Sequence, residues 1–403
     1  MAPLLPIAEA LTQVLARAPR LGAIAVPIAQ AQGHILAHDL CADRDQPPFD
    51  RSAMDGVALR AADAAVGAVL PVVGTAAAGT PFADPLPQGA CVRIFTGAVV
   101  PPEADSVVPV EQVTLHGDSC TLHAPCRPGQ HVARQGSEVR AGGVVVAAGT
   151  VLTAARLGVA AAFGHAEVQV ARRPRAAVVP TGDEVVAVTA APGPGQIRDS
   201  NRYALAEILR QGGAEVVHMP VAADRADELH RALSSALRTA DVIVTCGGVS
   251  AGDLDLVAPA LRELGAEIHF HKIRIKPGKP LLFATIGDKV VLGLPGNPVS
   301  AAVCATLFAL PLLAAMQGAT ATRWLLAGVP LALPLPATGP RDEVVPLVPV
   351  TAQGQLAVLP VATAGSADVF AFSRATWLGI RSAGGAALAA GESIDVVIWP
   401  QLP

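Results

Sequence analysis

Aromatic side chains are scarce in this 403-residue chain, 3% in all with a single tyrosine, so its cores have to be filled by alanine, valine and leucine. Charge is scarce too: 15% of the residues are Asp, Glu, Lys or Arg, and the balance is −4 at pH 7. That balance argues against general attraction to nucleic acid or acidic membranes, and an anionic substrate would need a local basic patch. The six cysteines form no Cys-x-x-Cys pair and no zinc-ribbon spacing, which reads as reduced, mostly structural thiols in a cytoplasmic protein. No basic segment precedes the apolar residues of "MAPLLPIAEALTQVLARAPR", and Glu9 stands among them, so this stretch reads as an amphipathic helix and not an export signal. No internal repeat is visible. One charge-free run, Val299 to Met316, is short for a bilayer, diluted by Ala, Ser and Thr, and interrupted by Pro311; a buried helix is expected there.

What the chain has in quantity is apolar residues, 52% of it, with 38 Gly and 35 Pro spread along its length. Such a length calls for about three or four domains. Residues 1–43 and 140–172 read as a split α+β domain, and 44–139, with short strands broken by Pro and Gly, as a β-rich insertion. Between 173 and 320, strand-like runs such as "RAAVVPTGDE" and "DVIVTCGG" alternate with helical ones such as "SNRYALAEILRQGG". That order predicts a doubly wound, mostly parallel α/β sheet. The 325–403 tail alternates in the manner of a small β-barrel or sandwich.

In such a sheet, ligands bind beyond the carboxyl ends of the strands. Four unusual loops fall there: "PTGDE" (180–184), "CGGVSAGDLD" (246–255), "KPGKP" (276–280) and "LPGNPVS" (294–300). Gly247 and Gly248 would let backbone amides approach an oxyanion, and Ser250 adds a hydroxyl. Asp253 and Asp255 offer hard oxygens to Mg²⁺, although a tight turn capped by Asp253 accounts for the same residues. If "HKIRIKPGK" is extended, period-two alternation puts Lys272, Arg274 and Lys276 on one face, with Lys279 beyond. A row of like charges fits a bound anion, or a solvated edge strand that resists aggregation. Asp183, Glu184 and Asp224 suit Mg²⁺-assisted phosphoryl or nucleotidyl cleavage, with helix capping the alternative for Asp224. His269 and His271 have no third ligand in spacing, which argues against zinc. "QPPFDRSAMDGVA" (46–58) is a rigid polar loop outside the α/β region, and "RIFTGA" (93–98) ends a strand in Thr96 and Gly97.

Taken together, "PPFDRSAMDG", "RIFTGA", "PTGDE", the "SN" that opens a helix, "CGGVSAGDLD", "KPGKP" and "GLPGNPVSA" resemble, in order and over nearly the whole chain, the molybdopterin molybdenumtransferase family, whose eukaryotic relative is the gephyrin E domain. The resemblance implies Mg²⁺- and molybdate-dependent hydrolysis of adenylylated molybdopterin, releasing AMP and leaving molybdenum on the dithiolene. It implies that Lys272, Lys276 and Lys279 bind phosphate or molybdate, and that Glu184, Asp224 and Asp255 carry the metal and the cleavage chemistry. Asp55 would complete the site from the N-terminal β-rich domain of the other subunit of a homodimer. Thr96, Thr181, Gly182, Gly247, Gly248, Ser250, Pro295, Gly296, Asn297, Pro298 and Ser366 would shape the substrate pocket. Implied protein partners are the molybdopterin adenylyltransferase and apo-molybdoenzymes. The chain departs from the family where Gly-Glu-Asp is usual and "GSE" (136–138) stands, at Val57 in place of an aromatic, and in "GPRDEVVP", which lacks the aromatic-basic pattern. Two other activities fit parts of the pattern: molybdopterin adenylylation from ATP, which the additional domains argue against, and a non-enzymatic dimeric scaffold, which has no need of the acidic and lysine positions.

Overall fold

The structure, a computed structural model, describes residues 4–249, 256–320, 325–352 and 354–398. It divides into two compact units: Asp39–Ala148 with Ala154–Glu167, and Met1–His38 with Gly149–Thr153 and Val168–Pro403.

The smaller unit is built on a six-stranded sheet in the order Ser106–Pro109, Gly56–Leu59, Cys91–Ile94, Val69–Ala76, Ser119–Leu122, Val113–His116. The Gly56–Leu59 strand is buried throughout and pairs antiparallel on both sides. Its alternation feeds two cores: Val57 and Leu59 pack with Cys91, Cys120 and Leu122, whereas Ala58 packs with Val92, Ile94 and Val107.

The larger unit holds the α/β sheet, ordered Glu215–His218, Arg175–Pro180, Val242–Cys246, Lys289–Leu294, Leu282–Ile286, Glu267–His271. The first four strands run parallel, and the last two complete it antiparallel. "VIVTC" is buried at all five positions because helices cover both faces. Ala176, Val178, Val242 and Val244 share a core with Leu205 and Leu209 of helix Asn201–Gln211. Ala177, Val179 and Ile243 face the other way, toward Leu229 and Leu233 of Ala226–Thr239 and Leu261 of Val257–Glu263. From strand Arg175–Pro180 the chain passes first to the neighbour on one side and then to the one on the other. The switch point is therefore between Pro180 and Cys246.

Pro298–Met316 is a single 19-residue helix, long and apolar enough to cross a membrane, but 83% of its most apolar window is buried inside the fold. It is the wall of the core that covers Ala176 and Val244. A π-helical stretch, Ala305–Ala309, precedes Pro311, which has no N–H to give to the helical ladder.

The tail forms the larger unit's second six-stranded sheet, and its edge is not from the tail. Ile275–Lys276 pairs parallel with the start of Asp342–Ala352, setting Lys276 opposite Glu343. Beside it, Asp342, only 5% exposed, accepts hydrogen bonds from the Ile7 amide, Arg274 Nη2 and the Ala383 amide. This corrects the expected extended face of Lys272, Arg274 and Lys276. Strand Glu267–His271 ends where Lys272 takes a left-handed backbone, φ +82°. Ile273, bridged to Leu5, and Arg274 follow before the chain joins the other sheet, so the period-two register is lost at Lys272.

Candidate active site

A cleft of about 1000 Å³ opens at the carboxyl ends of the parallel strands. All four loops named from the sequence line it, contributing Thr181, Gly182, Glu184, Gly247, Gly248, Lys276, Lys279, Pro295, Gly296, Asn297 and Pro298, joined by Asp224 and Ser366. Lys272 is not among the lining residues, for the backbone reason given above. Ser250, Asp253 and Asp255 lie outside the described residues. Asp55 and Thr96 belong to the smaller unit and bind each other: the Thr96 amide and hydroxyl both donate to the Asp55 carboxylate at 2.7 Å. Those bonds, the amide's first, hold the Asp55 carboxyl below its ordinary range.

The floor of the cleft is rigid backbone. Gly247 adopts φ +100°, and the Thr181 amide and hydroxyl both donate to the Cys246 carbonyl, at 2.9 and 3.3 Å. Asn201, at the start of its helix, donates to the Gly296 carbonyl at 2.7 Å and to the Cys246 sulfur at 3.0 Å. Burial pushes the Cys246 thiol up to about 12, so at neutral pH it is a neutral packing group and not a nucleophile. Asn297 donates to the Ser366 hydroxyl at 2.8 Å, tying the Pro-Gly-Asn-Pro loop to the tail. A Cβ at position 247 would stand 2.7 Å from Thr181 Oγ1 and 2.8 Å from the Thr181 carbonyl oxygen. Gly247→Ala is therefore expected to cost about 2–4 kcal/mol in denaturant unfolding, strain and clash together. An unchanged midpoint would show that the floor yields.

On the acidic side Glu184 and Asp224 line the cleft, with Asp183 beside Asp224. The Asp224 amide donates to the Asp183 carboxylate at 3.0 Å. Burial, then the charges of Asp183 and Glu184, raise the Asp224 carboxyl above its ordinary range, against the Asp183 amide bond that lowers it. Asp224 is not the helix cap: Arg225 occupies that position before Ala226–Thr239, and no side chain caps the end. The basic residues of the cleft are Lys276, Lys279, Arg341 and Arg198, the last donating its Nε to the Ala190 carbonyl at 3.0 Å. Lys276 pairs with Glu343 at 3.0 Å, whereas among the described residues Lys279 and Arg341 have no ion-pair partner. The chain holds only four lysines, at 272, 276, 279 and 289. That confinement was a signal in the sequence pointing to this segment; Arg341 and Glu343 carry no such signal, since only strand pairing brings them here. His269 and His271 are committed separately, to Thr285 Oγ1 at 2.8 Å and to the Val249 carbonyl at 3.1 Å.

Residues 5–164 match the family described as MoeA N-terminal region (domain I and II), and 177–315 the family described as probable molybdopterin binding domain. A molybdopterin molybdenumtransferase of Haemophilus influenzae is 37% identical over 290 residues, 72% of this chain and 72% of the relative. One from Staphylococcus aureus is 28% identical over 399 residues, 98% of this chain and 95% of its own. The crystal structure of a molybdopterin biosynthesis moeA protein from Pyrococcus horikoshii superposes with a TM-score of 0.80 at 31% identity, covering 99% of this chain and 100% of that one. Identity at this level over more than two thirds of a curated relative, with a shared fold end to end, means that this chain belongs to the molybdopterin molybdenumtransferase family, transferases of molybdenum cofactor biosynthesis.

Proposed function

We propose that the protein hydrolyses adenylylated molybdopterin in a Mg²⁺- and molybdate-dependent reaction, releasing AMP as molybdenum enters the dithiolene. One observation carries this reading: Lys279 and Arg341, which have no ion-pair partner among the described residues, line the same cleft as Glu184 and Asp224, at the switch point of a parallel sheet. A phosphate-linked substrate and an oxyanion both need what Lys276, Lys279, Arg341 and the amide of Gly248 offer, charge-assisted and backbone hydrogen bonds, while the Gly247 amide is already given to the Leu294 carbonyl. Thr181, Asn297 and Ser366 present polar groups, and the prolines 295 and 298 present apolar faces, to orient a pterin.

Glu184 and Asp224 are the residues that would hold Mg²⁺. Mg²⁺ is commonly held by one or two carboxylates and completed by substrate phosphate. When bound, the metal supplies neutralisation of phosphate charge as a bond to phosphorus breaks. The carboxylates, for their part, orient the attacking water and keep the leaving AMP from sharing their side of the cleft. In this reading the protein acts in the cytoplasm as a homodimer, with Asp55 and Thr96 of a second copy completing the cleft. The adenylyltransferase supplies its substrate and apo-molybdoenzymes take its product.

Purified protein given adenylylated molybdopterin, Mg²⁺ and molybdate is expected to release AMP, and to stop when the metal is chelated. Lys279→Ala should lower kcat/KM about tenfold to a hundredfold, the loss of one charge-assisted hydrogen bond worth ~1.5–3 kcal/mol. Turnover of ATP to adenylylated product instead would favour the adenylyltransferase reading. Undiminished cofactor production with Lys279→Ala would favour the scaffold.

A further inference from the structure

We propose that Glu343 is a positioning residue: it fixes the Lys276 ammonium in the cleft, and it is itself fixed by Arg381. The proposal rests on the reading of Lys276 as a substrate-binding group. A lysine side chain is long and flexible and loses rotamer freedom when held, and that of Lys276 is 59% exposed. Left alone it would sample the solvent. Its ammonium is instead 3.0 Å from Glu343 Oε1, and the two residues face each other in the parallel ladder, so the strand register sets their separation. The second carboxylate oxygen, Oε2, lies 3.9 Å from Arg381 Nη1.

Arg381 is a firm anchor. Its side chain is 5% exposed, and it donates to the carbonyls of Pro336 at 2.5 Å and Ala386 at 2.6 Å. Two cations share one carboxylate, so the group keeps a net charge of +1 and still attracts an anion. Glu343 therefore directs Lys276 without cancelling it. Lys279, Arg341 and Arg198, by contrast, line the cleft with no ion-pair partner among the described residues, so Lys276 is the one of the four that a carboxylate aims.

Two measurements test this on the full-length protein. With ¹⁵N-lysine, only four side-chain ammonium signals are possible, and Lys276→Arg identifies the one that belongs to residue 276. In the wild-type protein that signal is expected to be protected from hydrogen exchange relative to Lys279, and Glu343→Gln should remove the protection while the other signals and the melting curve stay in place. A wild-type signal at 276 that exchanges as fast as Lys279 overturns the proposal, whether or not Glu343→Gln folds. In the AMP-release assay, Glu343→Gln should lower kcat about tenfold to a hundredfold, the loss expected for a misplaced catalytic cation, and lower it no further in a Lys276→Ala background. Equal losses in both backgrounds would mean a purely structural role and overturn it. If Lys276→Ala alone leaves AMP release unchanged, the substrate-binding reading of Lys276 has failed, and with it the mechanistic half of the proposal; the exchange measurement still decides the tether.

Discussion

Asp224→Asn is expected to lower molybdate-dependent AMP release by about 10²- to 10⁴-fold and, in metal-free buffer, to raise the melting temperature. Both follow from the same crowding. Asp224 is half-buried beside Asp183 and Glu184, so its charged form is disfavoured in the folded protein and its carboxyl is raised above the ordinary range. The unfolded chain ionises at the ordinary value. Its contribution to stability is thus full below that value and lost as pH rises through the raised one. At neutral pH the carboxylate is a net liability to the fold, which an uncharged isostere removes. A site that stores like charge in this way is poised for a cation, and Mg²⁺ should stabilise the wild-type protein more than the variant. The acid limb of the rate profile should fall at a higher pH than an ordinary carboxylate gives. Full activity in Asp224→Asn, or a lowered melting temperature, would remove this residue from the mechanism.

Gly56→Ala should unfold the smaller unit at much lower denaturant, by about 3–5 kcal/mol. A Cβ at this position would stand 2.0 Å from the Val108 carbonyl oxygen, 2.9 Å from its carbon and 3.0 Å from Pro109 Cα. All three are backbone atoms of the neighbouring strand, so no side chain can turn aside. Gly56 opens the buried strand paired on both edges, and the Val110 amide donates to the carbonyl of the preceding residue, Asp55, at 2.9 Å. Separating the strands would therefore also displace the Asp55–Thr96 pair. Limited proteolysis within residues 39–148 reads the loss directly; an Ala variant that resists cleavage as the wild type does would show that the strands can part at no cost.

The α/β architecture was legible because its strands are continuous apolar runs that stop in Gly, Asp or Pro. "VIVTC" could hardly be buried on both faces in any other context. The convergence of "PTGDE", "CGG" and "LPGNP" followed from topology, since loops after parallel strands share one end of a sheet, whereas "KPGKP" joins them from the edge strand of the tail's sheet. Three things were not legible. Lys272 was placed with Lys276 by counting in twos, and a single left-handed residue defeats that count without leaving a mark on composition. An aspartate before a helix reads equally as cap or as site, and only the unused capping geometry at Arg225 separates the two for Asp224. Arg341 and Glu343 reach the cleft through a strand pairing that joins residues 67 apart, Lys276 and Glu343, a distance over which local pattern says nothing.

The borrowed edge strand also limits how this protein can be taken apart. The stretch that matches a molybdopterin-binding domain ends at residue 315, yet the basic wall of its cleft is buttressed from beyond that point, by Glu343 on one side and by Asp342 gripping Ile7, Arg274 and Ala383 on the other. Excised at the domain boundary, such a fragment would keep its sheet and lose the scaffolding of its lysines. Inheritance of this chemistry by gene shuffling would thus require the tail to travel with the α/β region as one cassette.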